Sequence, residues 1–242
     1  MKEDWKYQPA ADLELSSRER FRSTQREVGL VTAILTTLRW ALLRTYLRTF
    51  HRLSVEGEEH LPKRLPFVLV ANHSSHLDAL VLASILPAGL NRLVFPIAAG
   101  DTFFETRKAA AFASLFMNAL PIWRKRCGAH SLDQLKGRLV AEPCGYVVFP
   151  EGTRSRSGTM ARFKPGIGMM VAGTEVPVIP CLLTGAHEAF PPHARFPRHR
   201  KVSVRIGPAM TFKEAPENRA GWESVAEALE DGVRTLIKDQ RE

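Results

Sequence analysis

FVLVANHSSHLD, residues 67–78, is the stretch from which the fold can be read. Five apolar residues in succession, Phe67–Ala71, predict a strand covered on both faces, because a strand with one wet face alternates apolar with polar. The polar turn Asn72–Asp78 opens into ALVLASIL, which predicts a helix over 77–86. A buried strand running straight into a helix is the opening of an α/β unit. Ligands of open α/β sheets gather beyond the carboxyl ends of strands, so chemistry is expected at the turn 72–78.

The pattern repeats outward from there. RLVFPIA (92–98), GYVVFP (145–150), VPVIPCLL (176–183) and VSVRIG (202–207) predict further strands, with a shorter one at ALPIW (119–123). Helices are predicted near 105–117, 130–141 and 165–173, with a last amphipathic one near 219–238. The resulting fold class is α/β: a mainly parallel central sheet covered by helices on both faces. Ahead of it, Val31, Leu35, Leu38, Leu42, Tyr46, Phe50 and Leu53 recur at steps of three and four, which predicts an amphipathic helical extension over 28–53. Arg44, Arg48 and Arg52 are expected on its opposite side. The domain reading is an N-terminal arm and docking helix over 1–54 and one catalytic-sized domain over 55–242.

Of the 242 residues, 45% are hydrophobic and 24% charged, which excludes a disordered chain and a polytopic membrane protein. Lys and Arg number 34 against 25 Asp and Glu, a net charge of +9, so the expected partners are anionic: nucleic acid, phospholipid head groups or phosphorylated metabolites. Nucleic acid is set aside because the basic residues form no recognition helix and no interleaved stacking aromatics. Cys127, Cys144 and Cys181 make no CxxC pair, which fits a reducing compartment and speaks against structural zinc. The first 27 residues carry six basic and six acidic side chains and no apolar run of a signal peptide, so a cytoplasmic location is expected. The longest uncharged stretch of the helical extension, Val28–Leu38, is eleven residues, short of the roughly 20 that span a bilayer.

Within the turn, a carboxylate at Asp78 can fold back onto His73, hold Nδ1–H and leave Nε2 free to take a proton. Two other readings fit the same residues. Ser75 and Asp78 match a capping box, and His73, His76 and Asp78 could be three metal ligands. Asn72-His73-Ser74 matches a glycosylation sequon, discounted without a signal peptide. A second cluster, EGTRSRSG at 151–158 followed by RFKPG at 162–166, places glycines, hydroxyls and four cations just past a strand. Gly152 admits close backbone approach, Arg154 grips two oxygens and Lys164 adds a point charge, which suits a bound phosphate as well as a solvated basic loop. It lacks the P-loop spacing, and no GxSxG occurs.

Together, NHSSHLD at 72–78, PIWR at 121–124, FPEGTRS at 149–155 and VPVIP at 176–180 resemble the four motifs, in order, of the glycerolipid acyltransferase family that includes lysophosphatidate acyltransferases. The resemblance implies that His73 is the catalytic base and Asp78 its partner. It implies that Arg124, Glu151, Gly152, Arg154 and Lys164 bind the acceptor's phosphate end, and that Val176, Pro177, Val178, Ile179 and Pro180 belong to the acyl-donor site. No metal and no cofactor are implied. One departure stands out: family members often carry a glycine and a Phe or Ile run before the second motif's arginine, where this chain has Ala119-Leu120-Pro121-Ile122-Trp123. Acceptor identity is therefore the least constrained inference.

The implied reaction moves an acyl group from acyl-CoA or acyl carrier protein to the free hydroxyl of 1-acylglycerol-3-phosphate, giving phosphatidic acid without an acyl-enzyme. Its implied setting is the cytoplasmic face of a membrane. The amphipathic helix 28–53 and the basic loop 191–201 are the candidate docking elements; the helix equally fits one packed on the domain with a solvated arginine face, and the loop a solvated basic hairpin. Alternatives are another lipid alcohol as acceptor, such as a lysophospholipid or an amino-acid lipid, or a non-enzymatic lipid-binding protein. A covalent route through Cys127, beside Arg124-Lys125-Arg126, is the competing mechanism.

Overall fold

The computed structural model describes residues 30–100, 117–122 and 124–238, with isolated positions between 15 and 23 and between 106 and 114. In chain order the elements are α1 (Leu30–Phe50), β1 (Ser54–Glu56), a 3-10 turn at Glu58–His60, β2 (Phe67–Ala71), α2 (Asp78–Ile85), α3 (Ala88–Asn91), β3 (Val94–Ala99), β4 (Leu120–Ile122), α4 (Arg124–Ala141), β5 (Gly145–Val148), α5 (Gly166–Val171), β6 (Val178–Thr184), α6 (Ala186–Ala189), β7 (Ser203–Ile206) and α7 (Arg219–Lys238). The strands form one sheet in the order β1-β7-β6-β2-β5-β3-β4. From β6 to β4 the pairs are parallel; β7 is antiparallel to β6, and β1 runs with β7.

Every residue of β2 is buried, as its unbroken apolar run predicts. The strand's period of two divides it between two cores. Val68 and Val70 join Leu135 and Leu139 of α4, Met170 of α5 and Leu229 of α7 on one face. Phe67, Leu69 and Ala71 join Leu47 of α1 and Val81 and Leu82 of α2 on the other. Close helix packing on the first face depends on Gly168, where an added Cβ would lie 2.3 Å from the Trp222 carbonyl oxygen. Phe67→Ala removes a ring that is 0% exposed and is expected to cost about 3–5 kcal/mol, read from urea unfolding.

The four-residue helices α3 and α6 are not among the expected elements, and β1 and α4 differ from the expectation as well. β1 was not foreseen, because three residues carry no period and its pairing partner lies far along the chain, Ser54 opposite Ser203. α4 begins at Arg124, not near 130, because the polar RKRCGAH has no apolar stripe to show its turn. The helix expected over 105–117 falls largely outside the described residues.

α1 also turns differently. Leu47 is buried and Leu43 and Tyr46 pack beside it, while Trp40 Nε1 donates to the Leu86 carbonyl at 3.0 Å. Arg44 faces the domain and donates to the Ser84 carbonyl at 2.8 Å, so it does not share a solvent face with Arg48. The helix uses the Leu43–Leu47 edge for packing. That choice leaves Ile34, Leu38 and Leu42 outward, at 53%, 58% and 73% exposure. Among the described residues, no helix is long and apolar enough to cross a membrane.

Candidate active site

β2 and β5 are neighbours whose chains part above the sheet: β2 leads to α2 on one face and β5 to α5 on the other. By such divergence an open α/β sheet leaves a crevice at its carboxyl ends, and the turns 72–78 and 149–164, bonded to each other there, flank that position. His73 Nδ1 lies 2.8 Å from Asp78 Oδ2, with the carboxylate side chain 0% and the imidazole 21% exposed. The same oxygen accepts the Ser74 and Ser75 N–H groups at 2.7 and 2.8 Å. Capping and orientation therefore fall to one carboxylate: Asp78, the first residue of α2, folds back on the turn and holds the ring with it. Phe149 fixes the ring plane, stacked at 4.1 Å between centroids and 16°. With Nδ1–H directed at Asp78, Nε2 is left as the proton acceptor.

The second turn is bolted to the first by Glu151. Its Oε1 accepts the His73 N–H at 2.7 Å and its Oε2 the Ala161 N–H at 2.9 Å, and the residue is buried. Burial pushes this carboxyl up from its ordinary range, and the two N–H groups pull it back. Glu151, expected at the acceptor's phosphate end, here joins the two turns, each carboxylate oxygen accepting one backbone N–H. The His73 carbonyl in turn accepts the Ser155 N–H at 2.8 Å. Gly152 takes a left-handed φ of 75°, and a Cβ there would come within 2.9 Å of Lys164 Nζ. The bare turn lets that side chain lie across it. Arg154, half-buried, reaches the His76 ring, so the structure brings His73, Asp78, Gly152, Arg154 and Lys164 to one rim.

Other expected site residues fall elsewhere. Arg124 opens α4 at the carboxyl end of β4, the same edge of the sheet, three strands or about 14 Å from β2; its side chain lies outside the described residues, as do Trp123 and the Cys127 thiol. Val176, Val178 and Ile179 are packed into the two cores, and Pro180 sits within β6 opposite Val70. Of the stretch 176–180 only Pro177 is partly open, so these side chains support the cleft as a buried strand instead of lining it. Among the described residues, no group of three or more His, Cys, Asp or Glu converges as a metal site; His76 turns away from the His73–Asp78 pair to Arg154 and Pro192. Burial pushes the Cys144 thiol up and the Cys181 thiol up to about 12, so neither is a ready nucleophile.

Asn72 carries a role that sequence reasoning missed. Its amide donates to the Leu183 carbonyl at 3.0 Å and accepts the Leu183 N–H at 2.8 Å, adding one more rung to the β2–β6 ladder just before His73. No local signal points to it, because the partner is 111 residues away.

A model of the Acyltransferase family matches residues 52–184, from just ahead of β1 to the end of β6. The chain belongs to that family. Both turns of the cleft lie within the family's region. Among curated proteins the chain is similar to the 1-acyl-sn-glycerol-3-phosphate acyltransferase alpha of Mus musculus, 31% identical over 163 residues, 66% of this chain and 55% of that one. It is also similar to the chloroplastic 1-acyl-sn-glycerol-3-phosphate acyltransferase LPAT1 of Arabidopsis thaliana, 32% identical over 63% of this chain and 41% of that one. The aligned region spans about half the length of these relatives. In fold, the chain matches the crystal structure of the 1-acyl-sn-glycerophosphate (LPA) acyltransferase PlsC from Thermotoga maritima, with a TM-score of 0.61, 20% identity, and coverage of 88% of this chain and 98% of that one.

Proposed function

We propose that this chain transfers an acyl group from acyl-CoA or acyl carrier protein to the free hydroxyl of 1-acylglycerol-3-phosphate, giving phosphatidic acid. The observation that carries this reading is the 2.8 Å His73–Asp78 pair, joined through Glu151 to the turn that bears Arg154 and Lys164. Membership in the family and the activities for which its relatives are named support the same reaction. Arg154 and Lys164, with Arg124 from the start of α4, hold the acceptor's phosphate and set its hydroxyl at Nε2 of His73. Nε2 takes the hydroxyl proton as the oxygen attacks the thioester carbonyl. The tetrahedral intermediate collapses, the C–S bond breaks, and the proton passes from the imidazolium to the departing thiolate. Asp78 stabilises the imidazolium between these steps.

A panel of lysophospholipid acceptors with one acyl-CoA tests the assignment. Lysophosphatidate is expected to show the highest kcat/KM, and Arg154→Ala to raise its KM on the order of 10-fold or more with a smaller change in kcat. Preference for a lysophospholipid with a larger head group would transfer the assignment to that acceptor.

We further propose that the protein works docked on a bilayer, not spanning it. Ile34, Leu38 and Leu42 present an apolar stripe on α1, and Phe196 is 78% exposed between Arg195 and Arg198 in the loop 191–201. The two elements adjoin, since Phe50 meets the His199 ring and the Arg200 carbonyl lies 3.1 Å from His51 Nδ1. Leu38→Glu with Leu42→Glu is expected to lower partition onto anionic phosphatidylglycerol vesicles by at least about 10-fold in co-sedimentation, without loss of fold.

A further inference from the structure

His76 is a third polar group of the turn that the proposed reaction does not use. Its ring packs on Phe190, 4.7 Å between centroids, and Nε2 lies 3.2 Å from the Pro192 carbonyl oxygen. A carbonyl only accepts, so Nε2 carries the hydrogen toward Pro192 and Nδ1 is the nitrogen left as an acceptor; Arg154 Nη1 lies against the ring within reach of both nitrogens, at 3.0 Å from Nε2. The backbone holds this arrangement as well: the His76 N–H and the Ser75 hydroxyl both donate to the Phe190 carbonyl, at 3.2 and 2.8 Å. Arg154 makes no ion pair with a carboxylate among the described residues.

We propose that His76 is a positioning residue for acceptor binding: as a neutral imidazole it aims the Arg154 guanidinium into the cleft without cancelling its charge. The inference rests on the reading of Arg154 as a phosphate anchor. A carboxylate in the same place would hold the arginine equally well but would neutralise it before any phosphate arrived. The imidazole supplies direction alone. Its protonation would set two cations in contact and release the arginine.

The charged groups acting on His76 are Arg154 from the turn after β5 and His73 and Asp78 from its own turn; the 190–192 segment offers it an aromatic ring and a carbonyl. Burial first, then Arg154, hold its pKa below the ordinary value, which keeps the ring neutral near pH 7.

The test compares His76→Phe, which keeps the ring and removes the acceptor, with His76→Asn, which restores an acceptor near the Nδ1 position. Turnover of lysophosphatidate and acyl-CoA is measured alongside calorimetric binding of lysophosphatidate in detergent micelles. His76→Phe is expected to raise acceptor KM and Kd about 10-fold with kcat within about 2-fold, while His76→Asn stays close to the parent. In the parent, KM rises as pH falls from about 7 towards 5, and in His76→Asn that rise is reduced to whatever the substrate's own phosphate contributes. An unchanged Kd in His76→Phe, when Arg154→Ala weakens binding, overturns the inference and leaves the proposed reaction standing. Equal loss of kcat in both His76 variants also overturns it. If Arg154→Ala leaves binding intact, the anchor itself is wrong and the inference falls with it; a parent that binds lysophosphatidate but never acylates it counts against the reaction alone.

Discussion

His73→Ala is expected to lower kcat by roughly 10²–10⁴-fold while the protein stays folded. The fold should survive because the ring's polar contact is one hydrogen bond, to an Asp78 oxygen that keeps the Ser74 and Ser75 N–H groups. Those bonds, and the Glu151 bond to the His73 backbone N–H, do not depend on the imidazole. What disappears is the group that removes the hydroxyl proton. Acceptor KM should change little, since Arg154 and Lys164 remain in place. Steady-state rates together with a thermal unfolding curve check both halves.

Asp78→Asn is the second large effect, with kcat expected to fall on the order of 10²–10⁴-fold. An amide oxygen in the Oδ2 position can still accept from His73, Ser74 and Ser75, so the turn keeps its shape. The amide brings no charge to steady the imidazolium. Asp78→Ala differs in kind, because it strands the Ser74 and Ser75 N–H groups in a buried turn, at about 1–3 kcal/mol each. The pair of variants thus separates the carboxylate's charge from its acceptor role: Asn should lose rate with little stability, and Ala should lose both. Chemical denaturation beside steady-state kinetics distinguishes them.

The difference between legible and illegible parts of this chain follows sequence distance. β2, the turn and α2 could be read because their signals are local: an unbroken apolar run, a polar turn and a second apolar run within 20 residues. The His73–Asp78 pair was legible for the same reason, five residues apart and held by their own turn. The bracing contacts of Glu151 are not legible, because what decides its direction is two backbone N–H groups, at His73 and Ala161, which no side-chain pattern advertises. Asn72, His76 and β1 depend on Leu183, Arg154 and Ser203, each distant in the chain. α1 shows another limit. Its sequence holds two apolar edges, and only the neighbouring α2 decides that Leu43 and Leu47 turn in while Leu38 and Leu42 turn out.

The proline-bearing fourth motif repeats the lesson from the opposite side. Read as a binding segment, residues 176–180 lead into β6, which begins at Val178 and is matched to β2 from Val68 onward. Their contribution to the cleft passes through that pairing, which continues to Ala71 and then to the Asn72–Leu183 rung beneath His73.

If the lipid hydroxyl, activated at His73, attacks the thioester without an acyl-enzyme, the acyl group never resides on the protein. Rapid mixing of the full chain with carbon-14 acyl-CoA, followed by acid quench, distinguishes the two routes. Without acceptor no radiolabel is expected on the denatured protein, and with lysophosphatidate the label is expected to pass straight into phosphatidic acid. Label held covalently by the protein and then discharged on adding lysophosphatidate would contradict direct attack.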